Sequence, residues 1–314
     1  MASNQFSSGD AIADRRADYA RMLAESGDNP AAAELIEQAL ELAPSWAAGW
    51  VKMGDYCQKA GQREKAIAAY ETVDRLDPEG IFAASLKLAV LGAAETPEQP
   101  PSAYVEGLFD DYADRFETSL VEKLEYSVPQ KLAALIETAR PASGQFACIV
   151  DIGCGTGLLG VELHAWTQRL EGFDISTNML AKAEEKAIYH HLAQADLSLP
   201  ADTSGLFADG LVPHRADLVA AADVMMYLGS LETVMPLVNA LLSPVGVFAF
   251  SVEDAGAGDG FVLQPSLRYA HSETYVRGLL ASAGLRIIDI QKTTIRKDAG
   301  NPLSGILFLA GKAA

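Results

Sequence analysis

The sequence predicts an α/β domain on a mainly parallel sheet, preceded by a smaller all-α domain. Three observations lead there. A 34-residue periodicity is confined to the first hundred residues, and seven short β-branched runs alternate with helical patterns beyond Ser102. A glycine-rich turn, Asp151-Ile152-Gly153-Cys154-Gly155-Thr156-Gly157, joins the apolar run Phe146–Val150 to a helical pattern starting at Leu158. The 314 residues, 49% of them hydrophobic, are enough for two domains with substantial cores.

In the first half, Gly27 and Gly61, Ala32 and Ala66, Ile36 and Tyr70, and Pro44 and Pro78 each lie 34 positions apart. Small residues let the two helices of a hairpin approach closely, large apolar residues fill the groove to the next hairpin, and the proline ends the second helix. The pattern resembles the tetratricopeptide repeat. The second unit matches best, with Trp50, Gly54, Gly61, Ala66, Tyr70 and Pro78 at consensus positions and Cys57 replacing the usual tyrosine. In the first unit Arg16 and Ala20 stand where Trp50 and Gly54 stand in the second. Two units cannot bury their apolar faces alone, so Ile81–Leu91 is expected to be a capping helix. Glu95–Pro101 reads as an extended linker. The expected domains are residues 1–95, a linker over 96–103, and residues 104–314.

Past the linker, Tyr104–Glu117, Leu120–Tyr126 and Gln130–Ala139 carry helical patterns. Strand-like runs follow at Cys148–Asp151, Leu170–Asp174, Leu192–Ala195, Leu218–Ala221, Val245–Val252, Arg286–Thr294 and Ile306–Ala310. Helical patterns separate most of them, which implies parallel neighbours. The last two are joined by the turn-rich Lys297–Ser304, so the final strand is expected to be antiparallel.

Glycines between a strand and a helix let a ligand lie directly on main-chain N–H groups. Asp151 closes the strand, and its charge disfavours a phosphate and suits an amine or a sulfonium. Gly155-Thr156-Gly157-Leu158-Leu159-Gly160 also fits the dinucleotide fingerprint, so the loop alone leaves two ligand classes open. Asp174, ending the second strand, can take both ribose hydroxyls in either reading. Asp196, after the third strand, can accept from an adenine amino group. Asp223 follows the fourth. Any one of these aspartates could be an ordinary helix N-cap, whereas four on one rim point to a ligand site. After the fifth strand, Glu253–Phe261 reads as a mobile acidic loop. The following Arg268, Tyr269 and His271 form a candidate acceptor site, in which Arg268 could grip a carboxylate or phosphate. His271 could take a proton or, equally, cap or pack the helix expected at Glu273–Ala283. His164, His190, His191 and His214 lack such company and are expected to be structural or exposed.

Over roughly Tyr104–Ala310 the sequence resembles the class I S-adenosylmethionine-dependent methyltransferases. The resemblance implies a Rossmann-like seven-stranded sheet with S-adenosyl-L-methionine, which carries both an amine and a sulfonium, as cofactor. Asp151, Gly153, Gly155 and Gly157 match the loop that holds its methionine part. Asp174, Ile175, Asn178 and Met179 match the ribose-binding strand end, Asp196 and Leu197 the adenine pair, and Asp223–Tyr227 the segment facing cofactor and acceptor. Leu108-Phe109-Asp110-Asp111-Tyr112-Ala113, with Phe116 and Leu124-Glu125-Tyr126, resembles a bacterial subgroup that carries N-terminal tetratricopeptide repeats. In related enzymes the matching helix is a lid, which implies that Tyr112 and Phe116 cover the cofactor; simple core packing is the alternative.

The implied reaction is methyl transfer to oxygen or nitrogen of a small molecule, with Arg268, His271 and Tyr227 facing the acceptor. Rival readings are a protein methyltransferase whose repeats capture a polypeptide, a non-catalytic S-adenosylmethionine-binding assembly protein, and a nicotinamide-dependent reductase. Self-association through the repeats is a further expectation. The formal net charge of −18 repels nucleic acid. Residues Met1–Ala17 show no leader pattern and no apolar run reaches membrane-span length, so a cytoplasmic protein is expected. Cys57, Cys148 and Cys154 lack metal-ligand spacing and are expected to be buried small hydrophobes, with no metal.

Overall fold

The computed structural model describes residues 7–116, 126–142, 144–298 and 300–312. The chain divides into two compact units, Met1–Tyr104 and Val105–Ala314.

The first unit is built from α1 (Ala11–Glu25), α2 (Asn29–Leu40), α3 (Ala47–Lys59), α4 (Arg63–Leu76) and α5 (Ala84–Val90). Asp10 caps α1 by accepting from the Ile12 and Ala13 amides, and Asp28 caps α2 through Ala31. The turns α1–α2 and α3–α4 pass through Gly27 and Gly61 at φ +92° and +74°, where a side chain is strained. Alanines 13, 17, 20, 32, 33, 39, 66 and 69 form much of the core with Ile36 and Tyr70, so the helices approach on small residues. Asp55 accepts from Tyr70 Oη (2.6 Å) and from Lys87 Nζ (2.7 Å), tying α3, α4 and α5 together. The expected helix Ile81–Leu91 is shorter: Ala83 takes φ +54° and the Phe82 amide donates to Asp77, so the helix begins at Ala84.

Gly54 fixes the spacing of α3 and α4. A Cβ there would stand 2.3 Å from Cε1 of the buried Tyr70 ring, which its hydroxyl bonds to Asp55 and Gln58 hold in place. Helix propensity favours Ala over Gly by about 1 kcal/mol. Overpacking outweighs it, so Gly54→Ala is expected to destabilise by about 1–3 kcal/mol. Thermal denaturation checks the sign, and a raised melting temperature would show that the ring yields.

Helix α6 (Ser102–Tyr112) carries the chain from the first unit into the second, which continues with a 3-10 turn over Ala113–Arg115 and α7 (Val128–Glu137). The expected helix Leu120–Tyr126, including Leu124 and Glu125, lies outside the described residues except for Tyr126. The order then runs β1 (Phe146–Ile152), α8 (Leu158–Leu163), β2 (Thr167–Asp174), α9 (Thr177–Glu185), β3 (His191–Gln194) and β4 (Ala216–Ala221). It continues through α10 (Val234–Leu241), β5 (Leu242–Asp254), β6 (Phe261–Leu263), β7 (Tyr269–His271), α11 (Glu273–Ser282), β8 (Leu285–Asp298) and β9 (Asn301–Lys312). Strands β3-β2-β1-β4-β5 are parallel neighbours, β9 lies antiparallel against β5, and β8 is outside β9. The central strands are buried on both faces, as a covered parallel sheet requires. On β1, Cys148, Val150 and Ile152 pack with α10 and α11, while Ile149 packs with α7 and α8.

Among the described residues the sheet has nine strands, against the expected seven. The expected acidic loop begins later, because Glu253 and Asp254 still belong to β5, and Phe261–Leu263 and Tyr269–His271 form a hairpin whose second strand pairs with the β5 end. The turn-rich Lys297–Ser304 is mostly paired strand, since the β8–β9 ladder runs out to Asp298 and Asn301. Among the described residues no helix is long and apolar enough to cross a membrane. All three cysteines are free and buried.

Candidate active site

Strand order reverses between β1 and β4, so a crevice opens at their carboxyl ends, where ligands bind in open α/β sheets. Asp151 stands on β1 at this edge, Asp174 ends β2, Asp196 lies two residues past β3, and Asp223 two past β4. The glycine turn is held down by the Phe173 carbonyl, which accepts from the Gly153 (2.7 Å) and Cys154 (2.9 Å) amides. Gly153, Gly155 and Gly157 all take left-handed φ, +68°, +55° and +87°. At Gly153 a Cβ would stand 2.4 Å from Val224, so the segment after β4 can close against the loop. At Gly155 no described atom beyond its chain neighbours lies within 4 Å of a Cβ position, which leaves space for a ligand beside this turn.

The two loop carboxylates differ. Asp174 accepts from the Gly155 amide (2.8 Å) and the Ser176 amide (2.9 Å). Burial pushes it up to about 6, against the pull of those amides. Asp151 accepts from Tyr189 Oη (2.8 Å) on one oxygen, while its buried Oδ1 has no hydrogen-bond partner among the described residues. Burial pushes Asp151 up to about 7; the Tyr189 bond opposes the rise and the Asp174 charge adds to it. Such a carboxylate suits a cationic donor, which would both satisfy Oδ1 and favour the ionised form.

Helix α6 is fastened over this edge. Asp110 accepts from Ser176 Oγ (2.6 Å), its carbonyl accepts from Asn178 Nδ2 (3.2 Å), and Glu106 accepts from Gln194 Nε2 (3.0 Å). Phe109 meets Tyr227 edge-on at 4.8 Å, and Phe116 lies 5.5 Å from Tyr112 and 6.4 Å from Phe109. The sequence aromatics thus form one cluster with Tyr227 at the β4 end. Ile175 is half-buried and its carbonyl accepts from Gln194, while Met179 is fully buried with its amide capped by Ser176. Asp196 accepts from the Ser198 amide and hydroxyl, and Leu197 packs in the core.

Asp223 sits at φ +61° with its amide on Ser251 Oγ (2.8 Å). Its carboxylate pairs with Arg296, which also pairs with Glu253, and Glu253 accepts from Arg268 Nε (2.8 Å). Burial works against the Arg296 charge, but Asp223 and Glu253 outweigh it and hold it above its usual range. Asp223 itself is raised by burial, with Arg296 opposing, and its Oδ1 is buried without a hydrogen-bond partner among the described residues. Beside the far end of this cluster lies an open pocket of about 290 Å³, lined by Glu253, Asp254, Gln264, Ser266, Arg268 and Leu303.

His271 stands apart from this opening. It is fully buried on β7, with one ring nitrogen on the Gly229 carbonyl (2.8 Å), and burial lowers it to about 4. Strand alternation puts it on the same side as the fully buried Tyr269, away from Arg268. The helix that follows is capped by Ser272, not by His271. Two contributors escaped the sequence reading. Arg296 lies beyond a register shift in β8, and Tyr189 sits in a connection, signalled only by the surplus glycines around it.

Residues 124–289 match the profile of a family described as methyltransferase domain, which is over half the chain. The chain belongs to the methyltransferase domain family. Its α/β unit is a transferase domain of the S-adenosylmethionine-dependent class. Human methyltransferase-like protein 27 is 32% identical over 120 residues, 34% of this chain and 49% of that protein. Dimethylglycine N-methyltransferase of Parasynechococcus marenigrum is 30% identical over 151 residues, 44% of this chain and 49% of the relative. The chain thus spans about half the length of these curated relatives. The solved Burkholderia thailandensis 1,6-didemethyltoxoflavin-N1-methyltransferase, with bound 1,6-didemethyltoxoflavin and S-adenosylhomocysteine, shares the fold at TM-score 0.52 and 18% identity, covering 70% of this chain and 94% of its own. The cofactor of the methyltransferase domain is S-adenosylmethionine, and the Asp151 oxygen that has no partner among the described residues and the space beside Gly155 fit it.

Proposed function

We propose that this chain transfers a methyl group from S-adenosylmethionine to an oxygen or nitrogen of a small molecule. The observation that carries the reading is the strand-end rim of Asp151, Asp174, Asp196 and Asp223, with a buried acceptor on Asp151 that no described residue pairs. Asp151 takes the cofactor ammonium through Oδ1. Asp174 takes the ribose hydroxyls, since a carboxylate holding two amides keeps further lone pairs. Asp196 and Leu197 border the adenine, with Ile175 and Met179 shaping the ribose side. Tyr112 and Phe116, with Phe109, exclude water. Bound cofactor supplies a methyl group already activated by its sulfonium. The protein therefore has to align the acceptor and receive its proton.

Arg268, at the pocket, is the acceptor-binding cation, and Tyr227 borders the acceptor path. Asp223 Oδ1 accepts a hydrogen bond from the acceptor's N–H or O–H. His271 is assigned a packing role on the strength of its burial. Small-molecule acceptors appear in the names of relatives and neighbours, including dimethylglycine and 1,6-didemethyltoxoflavin, which supports that acceptor class.

Calorimetry on the full chain is expected to show binding of S-adenosylmethionine and S-adenosylhomocysteine and none of nicotinamide dinucleotides. Dinucleotide binding without S-adenosylmethionine heat overturns the reading. The helical unit is proposed as a tetratricopeptide-repeat domain that captures a partner or self-associates, supported by its hairpins and the 34-residue step from the start of α2 to that of α4. A chain starting at Pro101 is then expected to retain cofactor affinity while its hydrodynamic state or partner binding changes. A cytoplasmic location is supported by three unpaired, buried thiols.

A further inference from the structure

Three glycines lack a Cβ where the Tyr189 ring lies. A Cβ on Gly160 would stand 2.2 Å from the phenol oxygen, one on Gly172 2.7 Å from Cε1, and one on Gly157 3.0 Å from Cε2. Gly172 lies on β2 and Gly160 on α8, so together they leave room between strand and helix for the Tyr189 ring. The last glycine of Gly155-Thr156-Gly157-Leu158-Leu159-Gly160 is therefore explained by a phenol of this same chain, and the dinucleotide fingerprint has no need of a pyrophosphate. The slot leads the hydroxyl to Asp151 Oδ2 at 2.8 Å, while buried Oδ1 keeps no partner among the described residues.

We propose that Tyr189 is a positioning residue for the methionine end of the cofactor: its hydroxyl occupies one oxygen of Asp151 and leaves Oδ1 as the single acceptor for the ammonium. This rests on the reading of S-adenosylmethionine as cofactor. A bidentate carboxylate free to rotate would spread its hydrogen bonds, whereas one tethered by a buried donor is preorganised. Asp174 from β2, Cys154 from the glycine turn and Tyr126 ahead of α7 are the other titratable groups in electrostatic reach of the pair. Burial sets Asp151 near 7, so its ionised form, which the ammonium needs, is lost as pH falls through that range.

The test compares the full-length wild-type chain with Tyr189→Phe by calorimetry against two probes, S-adenosylhomocysteine and 5′-methylthioadenosine, which lacks the amino-acid end. Tyr189→Phe keeps the ring and is expected to weaken S-adenosylhomocysteine about tenfold while leaving 5′-methylthioadenosine within about twofold. The pH at which S-adenosylhomocysteine affinity falls by half is expected to move upward in Tyr189→Phe, because the hydroxyl that favoured the carboxylate is gone. Gly160→Ala, which keeps the hydroxyl but displaces the ring, is a second variant and should show the same selective loss. Equal weakening of both probes, or unchanged S-adenosylhomocysteine affinity, overturns the positioning role while the cofactor reading stands. A wild-type chain that binds neither probe overturns both.

Discussion

Arg296→Met is expected to destabilise the methyltransferase unit by about 3–5 kcal/mol, the cost of leaving a buried carboxylate without its cation. Arg296 is 6% exposed and its two partners, Asp223 and Glu253, are 12% and 3% exposed at their side chains. Glu253 keeps Arg268 after the substitution, so most of the cost falls on Asp223. Urea unfolding of the full chain, followed by a probe in the second unit, measures it. The loss should shrink as pH is lowered from 8 to 5. Without Arg296, burial holds the folded-state pKa of Asp223 above its unfolded value, so protonation favours the folded state and stability is lost as pH rises. Arg296→Met combined with Asp223→Asn should recover about half of the loss. A destabilisation under about 1 kcal/mol would mean that water reaches the cluster and screens it.

Asp174→Ala should weaken S-adenosylhomocysteine binding by about 2–3 kcal/mol, roughly 30- to 150-fold. The side chain does two jobs. It is the strand-end carboxylate assigned to the ribose hydroxyls, and it is the acceptor that holds the Gly155 and Ser176 amides in place. Removing it takes away the ribose contact and frees the glycine turn, whose left-handed φ values the surrounding hydrogen bonds maintain. Asp174→Asn, which retains one carbonyl acceptor, should fall between alanine and wild type. Calorimetry at pH 8, above the range near 6 to which burial raises Asp174, makes the comparison on the ionised wild-type group. An affinity within twofold of wild type for Asp174→Ala would falsify the ribose assignment.

The sequence alone determined what depends on neighbouring residues. The strand–glycine–helix unit at Asp151–Gly157 needs only an apolar run, residues tolerant of left-handed φ, and a helical period, all contiguous. Strands β1 and β4 were readable because strands buried on both faces are largely apolar, and the helical hairpins because close-packed helices demand small residues at a fixed period. Four aspartates were placed on one rim because in a parallel sheet consecutive strands end on the same edge. Tertiary structure decided the rest, because it rests on partners far apart in sequence. Arg296 reaches Asp223 from 73 positions away, across a register shift in β8 that local pattern cannot predict. The segment Arg268–His271 read as one candidate acceptor site, but pairing with the end of β5 made Tyr269–His271 a strand, and alternation then buried Tyr269 and His271 and left Arg268 at the pocket. Gly160 fits the last glycine of a dinucleotide fingerprint in sequence, but in the fold the Tyr189 ring, 29 residues on, lies where its side chain would be. Backbone propensity is local, whereas the pairing of buried charges and the filling of a slot depend on which surfaces the completed sheet brings together.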